Sequence, residues 1–286
     1  MAGVSINHDQ DNRAGRLSDA MRRSVFIDFT KELPVAHTGT TPYGDPTGTA
    51  GDVNTLVCST GHMQYHVLGT QTILAPIRVD GGLNITQDLT NNDGLEYTTG
   101  CEAPADTVIS DTAGASVGTF VVGTDAPVYA AWKVKITDVS GTDDCAFGFR
   151  KCEAYQANVD DYDEAAFLNV ISGNINIETI LNAAATTTTD TTDDWADLAT
   201  KTVMCIVDCD GSLSNDGTVG KVYFCVDGIN PTTEAASRFK FDSGELIQPF
   251  WYFLNDTDVA EATTLVTYEH GFVYMGETSQ FKLGSA

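Results

Sequence analysis

Short segments with alternating apolar and polar residues recur from about residue 52 onward, separated by Gly, Asp and Asn. A side-chain period of two is typical of a β-strand with one buried face, and convincing helical periodicity is almost absent. The clearest example is VYAAWKVKI, with one face formed by Val128, Ala130, Trp132, Val134 and Ile136 and the other by Tyr129, Lys133 and Lys135. We therefore predict an all-β fold.

The segments TKTVMCIVDCDGSLSNDG and GKVYFCVDGINP predict an antiparallel hairpin, because a Gly-, Ser- and Asn-rich turn separates two apolar runs. In TVMCIVD both faces are apolar, which favours a strand covered on each side. Further strands are predicted in SRFKFDSG, QPFWYFLN, TLVTYEHG and FVYMGE, with a bulge or bend at Gly271.

Two segments carry a weaker signal. DYDEAAFLNVI predicts a helical turn followed by a strand from Phe167 to Val170, and AAATTTTDTTDDWADLAT predicts an exposed polar loop.

Length and charge limit the functional classes. A chain of 286 residues, of which 42% are hydrophobic, can form one large β domain or two smaller ones. The formal net charge of -25 argues against nucleic acid, whose phosphates are bound by clustered Lys and Arg. No apolar run is long enough to span a bilayer, and MAGVSINHDQ lacks the apolar core of a signal peptide, so we expect no membrane partner and no glycan on the Asn84 sequon.

The first fifty residues differ from the rest. Residues 1–31 hold five basic and four acidic residues, a net charge of +1, so the remainder carries -26. A Gly- and Pro-rich connector with Pro42 and Pro46 follows. We predict an N-terminal arm and linker over residues 1–51 and a β-sandwich over residues 52–286. Within the arm, SVFIDF either forms one strand or anchors the arm in a groove on a partner.

Seven cysteines in a chain this long do not define a disulfide framework. Cys145, Cys205 and Cys209 fit alternating strand positions and are interpreted as small buried apolar residues. Two alternatives remain open. One is a hairpin disulfide between Cys145 and Cys152. The other is a zinc site whose ligands are Cys58, His62 and His66.

A calcium site is a weak prediction for the segment DCDGSLSND. Its oxygen-bearing side chains are Asp208, Asp210, Asn215 and Asp216. Calcium prefers such ligands, but Asp, Asn and Gly are equally typical of turns, and the spacing is not that of an EF-hand.

Several of these segments together resemble the concanavalin A-like, or laminin-G-like, jelly roll. They are GLNITQDLTNNDGLEYTTG, DYDEAAFLNVISGNINIETILN, TVMCIVDCDGSLSNDGTVGKVYFCVDG and LIQPFWYFLN. The version found here, rich in Thr, Asn and Asp, is similar to structural proteins of tailed bacteriophages, of the head-decoration or fibre type. The resemblance implies a concanavalin A-like jelly-roll β-sandwich with an extended N-terminal arm.

The resemblance also implies a non-enzymatic virion protein on the capsid surface, either a capsid decoration (cement) protein or another head-surface protein. Its partner would be the major capsid protein or another virion protein, and by analogy it would be a homo-oligomer, with a trimer as our expectation. The arm would contact the capsid through Arg13, Arg16, Arg22, Arg23, Phe26 and Phe29. No cofactor is expected.

The alternative is a lectin-like module that binds a host-surface glycan, as in a fibre or receptor-binding protein. An enzyme is not expected. The glycanases that resemble this fold use Glu-x-Asp-x-Glu on one strand, and the sequence has no such motif. Its acidic cluster lies in a turn-like run with solvated charge and consists of Asp160, Asp161, Asp163 and Glu164.

Overall fold

The structure, a computed structural model, describes most of the chain from residue 24 to residue 273. The described ranges are 24–31, 35–37, 47–48, 53–58, 61–69, 73–74, 77–79, 81–84, 93–99, 118–140, 142–255 and 263–273. Within them the chain forms strands and one short 3-10 helix at Val159–Asp161. No helix in these ranges is long and apolar enough to cross a membrane.

The strands of the described residues are numbered in chain order. They are β1 Val25–Asp28, β2 Val35–His37, β3 Thr47–Gly48, β4 Val53–Cys58, β5 Gly61–Leu68, β6 Ile73–Leu74, β7 Ile77–Val79, β8 Gly82–Asn84, β9 Gly94–Thr98, β10 Phe120–Val121, β11 Val128–Lys135, β12 Thr142–Lys151, β13 Ala165–Ile171, β14 Asn174–Ile180, β15 Thr187–Asp194, β16 Thr200–Asp208, β17 Lys221–Val226, β18 Leu246–Asn255 and β19 Thr264–Phe272.

Two antiparallel sheets form a sandwich. The seven-stranded sheet has the order β17-β16-β11-β19-β8-β7, with β1 also paired to β19. The ten-stranded sheet has the order β15-β14-β13-β12-β18-β9-β5-β4-β2, with β10 also paired to β18. Strands far apart in sequence are neighbours, as in β11 and β19 or β9 and β18. The prediction of an all-β sandwich is confirmed.

The core lies between the inner faces of the two sheets and is rich in aromatic rings. Trp251 contacts Tyr268 with ring centroids 5.3 Å apart and stacks on Tyr97 at 4.6 Å. Trp132 lies 5.8 Å from Tyr268 and from Phe147. Tilted and offset aromatic pairs of this kind add to the stability that burial provides. The sandwich is therefore held together mainly by apolar contacts between the sheets.

The strand predictions for the central segments are confirmed. The five residues predicted on the inner face, four in β11 and Ile136 just after it, are all fully buried, and Lys133 on the opposite face is exposed. β16 is apolar on both faces, because Ile206 on its outer side is buried with Tyr223 and Val273. β16 and β17 form the predicted hairpin. In DYDEAAFLNVI the predicted strand is found as β13, which begins at Ala165, whereas the 3-10 helix overlaps this segment only at Asp161, so the predicted helical turn is not found within it.

Three local predictions are wrong. SRFKFDSG forms no strand, and within it only Lys240 makes an isolated bridge, to Lys221. The Thr-rich segment contains β15, because its β-branched side chains suit an edge strand paired to β14, and Trp195 after it is buried. Gly271 lies in a regular part of β19, where a Cβ would come within 2.8 Å of Ser24 Oγ. The bulge is instead at Val266, since Lys133 pairs with Thr267 whereas the next residue of β11 pairs with Leu265.

The predicted arm contributes a strand to the sandwich. β1 pairs with β19, so of the two alternatives for SVFIDF the strand is the one found. Phe29 was predicted to contact the capsid, but this is wrong because its side chain is fully buried in the core. Phe26 is 53% exposed. Arg13, Arg16, Arg22 and Arg23 lie outside the described residues, and the boundary at residue 51 stays a prediction.

We expect Phe29→Ala to lower the free energy of unfolding by about 3–5 kcal/mol, because the substitution leaves a cavity in the core. Phe26→Ala is the matched control on the same segment and should cost less than about 1 kcal/mol. Equilibrium urea unfolding measures both values. Equal losses from the two substitutions would show that β1 does not belong to the sandwich.

Candidate functional site

The predicted calcium ligands hold their own loop together. Asp208 accepts backbone N–H groups from Leu213 at 3.2 Å and Ser214 at 2.8 Å. Asp210 accepts from the Ser212 N–H at 2.9 Å, and Asp216 pairs with Lys221 Nζ at 2.6 Å. Asn215 is exposed. Among the described residues no group of three or more His, Cys, Asp or Glu side chains could hold a metal ion. The arrangement favours the turn-forming alternative.

The zinc alternative fails on strand geometry. His62 and His66 lie four residues apart on β5, a separation of about 13 Å along an extended strand, which is too far for two ligands of one zinc ion. The side chains of Cys58 and His62 lie outside the described residues.

The disulfide alternative is wrong for the same reason. Cys145 lies in β12 and Cys152 one residue beyond its end, about 23 Å apart by strand rise, which is too far for a disulfide between them. Cys145, Cys205 and Cys209 are fully buried, as predicted.

Residues 152–164, here named the strap, cross the outer face of the ten-stranded sheet. Val159 and Tyr162 of the strap belong to a small apolar cluster with Phe167 and Phe250 of the sheet, and the rings of Tyr162 and Phe250 meet edge to face at 6.2 Å. The Tyr252 hydroxyl donates to the Ala157 carbonyl at 2.8 Å. The strap therefore covers apolar sheet surface that would otherwise face solvent.

A buried ion pair lies beneath the strap. Arg150 Nε and Glu96 Oε1 are 2.6 Å apart, and neither side chain is exposed. The Tyr162 hydroxyl donates to the second oxygen of Glu96, and Arg150 also donates to the Lys151 carbonyl at 2.9 Å. The amide oxygen of Gln248, when turned toward Arg150, accepts from its Nη1 at 3.0 Å. Every charged group in this cluster thus has several partners, as buried charges require.

Burial and the charges of the ion pair shift the pKa values of the side chains in and beside this cluster. Burial raises the pKa of Glu96, and Arg150 and Tyr162 oppose that rise. Although burial acts to lower the pKa of Arg150, the adjacent Glu96 carboxylate raises it. His66 stacks on Tyr155 of the strap with centroids 4.7 Å apart. Burial, and then the charge of Arg150, lowers the pKa of His66 to about 4, so its imidazole is neutral at pH 7.

A second polar group lies on the same outer face. Asn169 Nδ2 donates to Asp144 Oδ1 at 2.6 Å and to Glu178 Oε2 at 2.8 Å. Two carboxyl groups on opposite sides of a scissile bond could act as a catalytic pair, but here the amide of Asn169 occupies the space between Asp144 and Glu178. Asn169 is fully buried and Glu178 is 6% exposed. The group is arranged as a structural network and not as an open catalytic pair.

The predicted acidic run has a structural role as well. Asp160 accepts from the Thr186 hydroxyl at 2.6 Å, and Glu164 accepts from the Asp242 N–H at 3.3 Å. The acidic side chains of this run are therefore spread along the strap and do not line a common cleft.

One concavity among the described residues has the features of a ligand site and is here named the groove. It lies between β14 and β15 of one sheet and β17 of the other, is closed on one side by residues 234–240, and has a volume of 440 Å³. This volume is within the usual range for small-molecule sites. Its floor is apolar, with Ile177, Val222, Phe224 and Phe239, and its polar lining includes Thr179, Thr187, Thr189, Ser237, Glu234 and Arg238.

The polar lining of the groove is partly fixed and partly free. Arg238 and Glu234 form a two-pronged ion pair at 3.0 and 2.6 Å, and the guanidinium lies 4.5 Å from the centre of the Tyr223 ring. The hydroxyls of Thr179, Thr187, Thr189 and Ser237 make no hydrogen bond within the described part of the chain. Sequence reasoning missed this site because it interpreted the Thr-rich segment as a loop. The available signal was the β-branched composition of that segment.

No family model matches the sequence, and no curated protein matches it. Solved structures similar to this chain include the carbohydrate recognition domains of Emp46p in its potassium-bound form (9% identity, TM-score 0.44, 73% of this chain and 89% of that chain) and Emp47p (12%, 0.43, 88% and 96%). The metal-free exoplasmic/lumenal domain of VIP36 is another (9%, 0.42, 89% and 93%). Likenesses this distant carry no conclusion about a ligand.

The low pKa of His66 predicts sensitivity to acid. The unfolded chain binds a proton on this group below its ordinary pKa of about 6.5, whereas the folded chain binds it only near pH 4. Stability is therefore lost as the pH falls from 6.5 to 4, by about 2 kcal/mol from this group.

We expect His66→Gln to remove this part of the pH dependence, as measured by urea unfolding at pH 7, 5.5 and 4. Parallel curves for the wild type and the variant would contradict the assignment.

Proposed function

We propose that this protein is a non-catalytic, lectin-like module that binds a glycan in the groove. The observation that carries the proposal is a set of hydroxyls around an apolar floor, among them Thr187, Thr189 and Ser237, that make no hydrogen bond with the described residues. A sugar ring has apolar C–H faces and a rim of hydroxyls, so it matches such a lining. Free hydroxyls both donate and accept hydrogen bonds, as a polyhydroxylated ligand requires.

The charge of the chain favours a neutral glycan. The formal net charge of -25 repels anionic polysaccharides, and the groove's own Arg238 is already paired with Glu234. That ion pair fixes both groups at the rim, where the guanidinium of Arg238 can donate further hydrogen bonds to sugar hydroxyls and the carboxylate of Glu234 can accept them.

The geometry of the acidic groups supports a role without catalysis. Glu96 is locked by Arg150 and Tyr162 beneath the strap, and the amide of Asn169 separates Asp144 from Glu178. Neither arrangement leaves room for a scissile bond between two carboxyl groups.

We expect the double substitution Thr187→Val and Thr189→Val to weaken glycan binding about thirtyfold, because each hydroxyl contributes about 1 kcal/mol in its hydrogen bond to the ligand. Thr188→Val is the matched control on the opposite face of the same strand. The assay is a glycan array followed by titration of the best binder. We also expect EDTA to leave binding unchanged.

No binding to any glycan, or equal losses for the two sets of variants, would contradict the proposal. Loss of binding in EDTA would instead assign the glycan to a cation-dependent site.

A structural role on the surface of a tailed-phage head is the second candidate. The observation that favours it is the contrast between residues 1–31, with a net charge of +1, and the acidic remainder, together with the 53% exposure of Phe26 within that segment. In this role the arm binds the major capsid protein or another virion protein, and the sandwich is displayed as a homo-oligomer, for which a trimer is our expectation.

The test removes residues 1–23 and keeps β1, because Phe29 is needed by the core. We expect the shortened protein to fold but to lose co-sedimentation with phage heads. Undiminished binding to particles would refute this role.

A further inference from the structure

The end of the groove beside the turn between β14 and β15 is apolar. Its lining there consists of Leu181, Ala184 and Ala185, here named the apolar end. Leu181 is 39% exposed, and of the four large apolar side chains exposed within the described residues it is the one that lines the groove. Apolar surface that a ligand removes from water adds to the binding free energy.

The turn holds Leu181 in this position. The Ala184 N–H donates to the Leu181 carbonyl at 3.1 Å, which closes the turn. Its two central residues, Asn182 and Ala183, have φ of 53° and 54°, a conformation that is unfavourable for alanine. The Ala183 N–H is fixed from outside, because it donates to the Asp163 carbonyl of the strap at 2.8 Å. The apolar end is therefore formed before a ligand binds.

Hydroxyls lie one step further along the groove. Side chains alternate along β14, so Leu181 is on the same side as Thr179 and Ile177, and all three line the groove. Thr179 pairs across the sheet with Thr187, and Ile177 pairs with Thr189. Residues two apart on a strand are separated by about 7 Å. A ligand bonded to the hydroxyls of Thr179 and Thr187 would therefore lie beside the apolar end.

A hydroxyl of the ligand would find no side-chain partner at the apolar end, whose own side chains are hydrocarbon. The polar side chains that flank it in the chain are directed elsewhere. Asn182 Nδ2 donates to Asp242 Oδ2 at 3.4 Å, and the Thr186 hydroxyl donates to Asp160 Oδ1 at 2.6 Å. A hydroxyl placed here would lose its hydrogen bond to water, whereas a methyl group would gain from the contact.

The wall formed by residues 234–240 leaves room for a sugar ring. It carries the small side chains of Ala235 and Ala236, and its Phe239 carbonyl accepts from the Val222 N–H of β17 at 3.0 Å. Because this wall and the turn are both fixed by hydrogen bonds, little freedom is lost on binding, and a difference of one methyl group can appear in the affinity.

We propose that the glycan bound in the groove carries a methyl-ended substituent, and that this methyl group contacts Leu181, Ala184 and Ala185. It is the methyl group of a 6-deoxyhexose or of an N-acetylated amino sugar, while neighbouring ring hydroxyls bond to Thr179 and Thr187. Both kinds of sugar are neutral, in agreement with the net charge of -25. The class of sugar rests on the proposed glycan-binding function of the groove.

Matched pairs of sugars test the proposal by titration of the full-length protein. The 6-deoxy pairs are L-rhamnose with L-mannose and L-fucose with L-galactose, and the N-acetyl pair is N-acetylglucosamine with glucose. We expect the methyl-bearing member of one kind of pair to bind about tenfold more tightly than its hydroxylated counterpart. The kind of pair that shows the difference identifies the source of the methyl group.

A substitution at the apolar end tests the contact itself. Leu181→Asn should bring the two affinities of that pair within about threefold of each other, because its amide can bond to the hydroxyl. Leu198→Asn is the matched control and should keep the full difference. Leu198 is likewise an exposed leucine, at 62%, lies outside the groove, and has φ of 62°, which asparagine tolerates. The urea midpoint of each variant checks that it is folded.

Equal affinities within every pair would overturn the proposal, as would a difference that survives Leu181→Asn. Array binding confined to glycans without a methyl-ended group would overturn it as well. In these cases the glycan site itself stands. If no glycan binds at all, the proposed function fails together with the methyl contact, so the two failures are distinguishable.

Discussion

The buried ion pair between Arg150 and Glu96 is the interaction on which the outer face of this sandwich depends. Two charges removed from water are tolerated only if each has several partners, and here Tyr162, Gln248 and the Lys151 carbonyl provide them. Because Tyr162 belongs to the strap and donates its hydroxyl to Glu96, the ion pair also holds the strap on the sheet.

The position of the strap decides where a ligand could bind. By covering Phe167 and Phe250, it closes the middle of the broad face of the ten-stranded sheet. The groove between β14, β15 and β17 remains as a concavity with an apolar floor and with hydroxyls that have no hydrogen-bond partner among the described residues. This arrangement is the basis for our proposal of a recognition site at the open side of the sandwich and not a catalytic site on its broad face.

Sequence reasoning predicts the parts of the fold that depend on local pattern. The alternation in β11 and the two apolar faces of β16 identify those strands, because buried strands leave a clear period in the sequence. The strand at Thr187–Asp194 was missed because an edge strand buries little and its composition is that of a loop. The ion pair was also missed, since Glu96 and Arg150 come together only when β9 and β12 flank β18.

A double-mutant cycle on the ion pair tests this account most directly. In the account, Arg150→Met and Glu96→Leu each lower the free energy of unfolding by about 3–5 kcal/mol, because each leaves a buried charge without its partner. The double substitution should cost less than the sum of the two by at least about 2 kcal/mol, and either single substitution should speed amide exchange in the strap. Additive losses with an unchanged strap would contradict the account.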